Sequence, residues 1–250
     1  MWLAMKSSIR DFITALQFLT CIQVGPPGEW SAEQCGRSVR YFPLVGAAIG
    51  LLLALVNYSL SHYLLPHVSV MILLITEIWL TGALHFDGFM DTADGIFSHR
   101  SRERMLDIMR DSRVGVHAVT AFGVLLLLKY SLLLDLAPGA LPKALFVMPI
   151  AGRMAMVIAI TSFPMARIDG LGKAFSECSG RWAFPVAALL TFALVAPLGW
   201  LAILTCLSAC LLGFGLARWL SGKLGGLTGD TYGAVNEVTQ AAVLLFWLFF

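Results

Sequence analysis

Charge is what this 250-residue sequence has least of: 13% of its residues are Asp, Glu, Lys or Arg, where a soluble domain carries about a quarter. With 58% hydrophobic side chains and a mean hydropathy of +0.82, that scarcity excludes a water-soluble globule and a disordered chain. A net charge of +2 lacks the strongly basic face that nucleic-acid binding requires. Five cysteines with no C-x-x-C are too few for a disulfide scaffold. Repeats and linker-like stretches are absent too, so residues 1–250 read as a single integral-membrane domain, all-α and polytopic.

What the sequence does have is long apolar runs. A span needs roughly 20 such residues, and seven segments approach that: 42–61, 68–86, 115–136, 144–163, 183–197, 198–217 and 235–250. Pro197-Leu198-Gly199 must then act as a very tight turn. With the N-terminus cytoplasmic, fourteen of the seventeen basic residues fall on the inner side, as the positive-inside rule demands. Before the first span, Asp11 and Gln17 interrupt the apolar run and no small-residue cleavage site follows, unlike a signal peptide. Phe12, Ala15, Leu16 and Leu19 recur at helical spacing, which predicts an amphipathic interfacial helix broken by Gly25-Pro26-Pro27-Gly28.

The acids carry the functional signal, because thirteen of fifteen lie at or near the same inner face. Asp87, Asp91 and Asp94 are spaced four and three apart, which puts them on one helical side, roughly 40° and 60° apart. Such carboxylates repel one another unless solvent, basic partners or a divalent cation offsets them. Oxygen donors without a Cys or His framework select Mg²⁺, Mn²⁺ or Ca²⁺ over zinc. A plain solvated helix end is the bland alternative, disfavoured because acids at membrane depth are costly. A second group follows: Asp107 and Asp111, four apart, alternate with Arg110 and Arg113. That mixture suits a diphosphate, with carboxylates on metal and guanidiniums on phosphate oxygens; a salt-bridged juxtamembrane helix is the alternative. A third polar island, 225–237, brings four glycines together with Asp230, Thr231 and Glu237. It reads as a phosphate-receiving backbone nest or as an N-capped loop.

Three strings, LHFDGFMDTADGIF (84–97), ERMLDIMRDSRVG (103–115) and LGGLTGDTYGAVNE (224–237), resemble the signature segments of the cobalamin synthase (adenosylcobinamide-GDP ribazoletransferase) family. Ala15 to Thr20, Tyr41 to Gly46 and Ala151-Gly152-Arg153 support the resemblance, which runs from about residue 10 to the end. Ala83 stands where the family often has a glycine, Arg110 where lysine is common and Tyr232 where leucine is usual; none of these departures touches an acid.

The resemblance implies a multi-pass enzyme of the bacterial inner membrane with Mg²⁺ as cofactor and its active site at the cytoplasmic face. A ribose hydroxyl of α-ribazole, or of its 5′-phosphate, would attack the phosphorus next to the aminopropanol arm of adenosylcobinamide-GDP and release GMP. By motif and chemistry, Asp87, Asp91, Asp94 and Asp111 are expected to hold Mg²⁺, with an acid of this cluster or His85 as the base. Arg110, Arg113, Arg153, Asp107, Asp230, Thr231 and Glu237 are the expected substrate contacts. Arg153, inside a span, faces a polar cavity or pairs with an acid such as Glu77, and Lys129 has the same two readings. Substrates and lipid bilayer are the expected partners; a homo-oligomer is left open. The rival readings are a CDP-alcohol phosphotransferase or aspartate-rich prenyltransferase, and a cation transporter, which the absence of inverted repeats disfavours.

Overall fold

A computed structural model describes residues 2–24, 30–167 and 171–249. Among them the chain is all-helical, with one isolated parallel bridge between Met165 and Leu227. The Gly-Pro break expected at 25–28 lies outside the described residues. The helices are α1 (Trp2–Leu19), α2 (Ala32–Ser38), α3 (Phe42–Leu60), α4 (Pro66–Leu80), α5 (Leu84–Phe97), α6 (Arg102–Ile108), α7 (Val116–Asp135), α8 (Leu141–Ser162), α9 (Leu171–Glu177), α10 (Ala183–Val195), α11 (Trp200–Leu224) and α12 (Gly229–Phe249).

Helix α8 is the axis of the bundle, with nearly every side chain from Ala144 to Ile160 buried. Its neighbour α3 comes close because a Cβ on Gly46 would lie 2.5 Å from the Pro149 carbonyl oxygen, and one on Gly50 would lie 2.6 Å from that of Phe146. Small residues let helix backbones touch where lipid supplies no hydrophobic drive between helices. The predicted N-terminal helix is present and docked: Ala15 and Leu19 are fully buried. On the same face the buried Asp11 accepts from Arg37 Nε at 3.2 and 3.3 Å.

Among the described residues four helices are long and apolar enough to cross a membrane: α3 with the turns before it, α7, α8 and α11. The second expected span, 68–86, is not one rod. It breaks after Leu80, and α5 leaves at 88° to α4. Gly82 (φ +59°) and Ala83 (φ +57°) are both left-handed, and two such residues in succession turn the chain sharply. An alanine in that region costs roughly 1–2 kcal/mol, the physical reason a glycine suits position 83. Counting the bent pair as one gives five spans; α10, at 13 residues, is shorter than a crossing.

The third polar island is helix from Gly229 onward, with only 225–228 as loop, because α12 begins six residues before the expected start of the last span. Conversely, Asp107 and Asp111 do not share a helix face, since α6 ends at Ile108 and Asp111 lies in the turn beyond it.

Candidate active site

The site is built where α5 crosses the start of α12. A Cβ on Gly88 would sit 2.7 Å from the Asp230 carbonyl oxygen, and one on Gly233 would sit 2.9 Å from that of His85, so glycine at both places lets the two backbones touch. The α12 start is pinned by its neighbours. Leu227 N donates to Pro164 O and Ala166 N to Leu227 O, both at 2.8 Å. Thr231 is spent on this local turn: its hydroxyl donates to the Thr228 carbonyl and accepts from the Thr228 N–H, each at 2.8 Å. Thr228 caps the helix, its hydroxyl accepting from the Thr231 N–H at 3.3 Å, so the Thr-x-x-Thr pair is reciprocal.

The three acids of α5 have different surroundings. Asp87 is exposed and Asp91 half-buried, while Asp94 is buried. Asp91 stands among the like charges of Asp87, Asp230 and Asp94, with Arg167 as the opposing charge. Asp94 instead accepts from the N–H groups of Gly115 at 2.6 Å and Ala118 at 2.8 Å, so both its oxygens cap the first turn of α7. Asp111 accepts from the Arg113 backbone N–H and Nε, both at 3.0 Å, and Arg113 holds its carboxyl down to about 2. Asp107 is exposed, 3.9 Å from Arg104.

The structure therefore draws Asp87, Asp91 and Asp230 together and engages Asp94 and Asp111 elsewhere. A cationic neighbour is Arg167, whose Nη1 donates to Asp230 at 3.0 Å and whose Nη2 donates to the Leu106 carbonyl at 2.9 Å. Arg167 ties α6 to α12 and is a site residue that spacing does not mark; it reads as one more loop cation until the loop 164–167 is seen pinned to 226–228. A cavity of about 250 Å³ opens here, lined by His85, Asp87, Arg167 and Asp230 at its polar side and by Phe18, Phe42 and Phe175 at the other. His85 is buried, and its Nε2 has no partner. A wider hollow of about 690 Å³ lies on the far side of Asp94, with Arg100, Arg104, Asp111 and Arg113 around it. Arg110 is exposed on the same turn.

Arg153 and Glu237 belong to a separate place. Lys129 donates to Glu77 at 2.9 and 3.0 Å and to Glu237 at 3.0 Å, all three fully or almost fully buried between α4, α7 and α12. Arg153 is also fully buried; with the Gln240 amide turned to satisfy both its ends, that amide accepts from Arg153 at 3.1 Å and donates to Glu77 at 2.6 Å. Lys129 thus pairs inside the bundle, the second of its two readings.

As to a cation, the donors at the α5–α12 crossing are carboxylate oxygens, which fit a hard divalent ion rather than zinc. Among the described residues no three metal-ligating groups already converge on one point; the carboxylates gathered around Asp91 mark where a positive charge would be held.

The profile of the cobalamin-5-phosphate synthase family matches residues 11–248. The chain is 38% identical over 244 residues to the adenosylcobinamide-GDP ribazoletransferase of Acetivibrio thermocellus, covering 96% of this chain and 98% of that one. It is 42% identical over 246 residues to the enzyme of the same name from Desulfitobacterium hafniense, covering 95% and 96%. No solved structure matches.

Proposed function

Because the chain belongs to the cobalamin-5-phosphate synthase family, we propose that it transfers the phosphorylated adenosylcobinamide group of adenosylcobinamide-GDP to α-ribazole or its 5′-phosphate, with release of GMP. The observation that carries this reading is the charge at the crossing of α5 and α12, where Asp87, Asp91 and Asp230 gather beside Arg167, next to a hollow rich in arginine. Surplus carboxylate beside guanidinium is what a metal-bridged diphosphate needs on its two sides.

Asp87 and Asp91 would hold Mg²⁺, with Asp94 and Asp111 at the flank. The ion, when bound, neutralises charge on the diphosphate and on the departing GMP. Arg113 and Arg110 take phosphate oxygens at the wider hollow. Arg167 orients Asp230 through its hydrogen bond at 3.0 Å. His85 Nε2, partnerless in the cavity wall, accepts the proton of the attacking hydroxyl. The oxygen of that hydroxyl bonds to the phosphorus beside the aminopropanol arm as the bond to the GMP oxygen breaks. Glu237 and Arg153 act from behind, by fixing α12 within the bundle.

We place the reaction at the cytoplasmic face of the bacterial inner membrane, with the N-terminus inside and α10 and α12 completing seven crossings. A reporter fused at the C-terminus reads external in that topology, and a cytoplasmic signal refutes it. Purified protein in lipid, given Mg²⁺, adenosylcobinamide-GDP and α-ribazole, releases GMP and forms a corrinoid with a closed nucleotide loop. Absence of that product overturns the proposal. Asp91→Asn lowers turnover by about 100-fold or more without loss of folded protein, since the ion's charge stabilisation amounts to several kcal/mol.

A further inference from the structure

Helix α5 has a second face. At about 3.6 residues per turn, Phe89, Ala93 and Ile96 lie on the side of the helix away from Asp87, Asp91 and Asp94. They roof a groove of about 470 Å³ whose other walls are α7, α11 and α12. Apart from Thr92, His117 and Thr120 the lining is apolar or aromatic. Two of those walls, α7 and α11, are membrane-length helices whose outward residues, such as Val119, Leu127 and Leu211, are exposed. The groove therefore opens sideways into hydrocarbon.

Its length and its ends identify an occupant. Along α7 it runs from His117 to Leu128, about 16 Å at 1.5 Å per residue, close to the roughly 15 Å of hydrocarbon in one leaflet. At the end where α7 begins, Trp219 lines both the groove and a shallow hollow that holds Arg218 and Lys223. Both cations are exposed, and no acid pairs with either among the described residues. Tryptophan with Lys and Arg at the polar end of an apolar slot one leaflet deep is the chemistry of a phospholipid's headgroup boundary.

We propose that this groove binds one anionic phospholipid, an acyl chain lying under α5 and the headgroup phosphate held by Arg218 and Lys223. The chain would brace α5 from the side opposite its acids. The site is separate from the acid cluster and does not depend on which reaction that cluster performs.

The test is native mass spectrometry of the purified protein released from nanodiscs of phosphatidylcholine and phosphatidylglycerol in equal parts. The wild type retains one phosphatidylglycerol in preference to phosphatidylcholine. Arg218→Gln with Lys223→Gln abolishes the preference, lowering phosphatidylglycerol retention about tenfold, and Ala121→Phe or Val124→Phe, which fill the groove, abolish retention of either lipid. Each variant is first shown to elute and melt as the wild type does; two groove variants are used so that one failing to fold leaves the other. No preferential retention by the wild type overturns the proposal, as does unchanged retention in the charge variant. Displacement of the lipid by glycerophosphoglycerol, which has the headgroup but no chains, shows a phosphate site without the groove and also overturns it. A dimer that Ala121→Phe dissociates assigns the groove to a second copy and overturns it equally.

Discussion

Two parts of the bundle concentrate charge, and they follow opposite rules. Around Lys129 the charges are buried and matched: one ammonium meets two carboxylates, with Arg153 and the Gln240 amide behind them. Desolvated ions persist only when their partners are in place, so every member of this group has a fixed geometry. At the crossing of α5 and α12 the carboxylates outnumber the cations and sit at the margin of the protein, where Asp87 is exposed and Asp91 half-buried. The first arrangement is balanced in charge as folded. The second is incomplete, and an incomplete set of charges is what a site for a charged ligand looks like before the ligand arrives.

The largest effect should come from spoiling the matched region. Lys129→Met leaves Glu77 and Glu237 uncompensated in the interior, and loss of one member of such a group costs about 3–5 kcal/mol. Thermal unfolding in detergent measures this; an unchanged midpoint would mean that water reaches the cluster. Next comes the crossing itself. Gly88→Ala drives a Cβ into the Asp230 backbone, 2.7 Å away, and overpacking of this kind costs about 1–3 kcal/mol. Turnover should fall further than stability does, because the acids of the two helices are moved apart. A Gly88→Ala enzyme with wild-type turnover would show that their spacing is irrelevant.

The smallest effect is that of the ion on stability. Mg²⁺ should raise the melting midpoint measured in EDTA, and Asp91→Asn should remove that gain. An equal gain in wild type and variant would assign the ion elsewhere.

Much of this was legible from residue order. The apolar runs predict α3, α7, α8 and α11, and the spacing of Asp87, Asp91 and Asp94 predicts their shared helical face. The 88° turn was not legible, because it depends on the backbone angles of Gly82 and Ala83, and an alanine at φ +57° is the exception to its own propensity. Nor does spacing reveal that Asp94 serves the start of α7, or that Arg167 reaches Asp230. Those contacts join residues 21 and 63 positions apart and exist only after the helices pack. Lys129 lies between: its position in a span announces that it needs an acid, without saying that Glu77 and Glu237 share the duty.

The carboxylate of Asp94 works as a tie-rod between two helices. While it holds the amides of Gly115 and Ala118, α5 cannot slide without unravelling the start of α7, so whatever shifts the acids is felt by protons on another helix. The exchange rates of those two amides with heavy water are therefore a built-in gauge of events among the acids, readable in an enzyme that is not turning over.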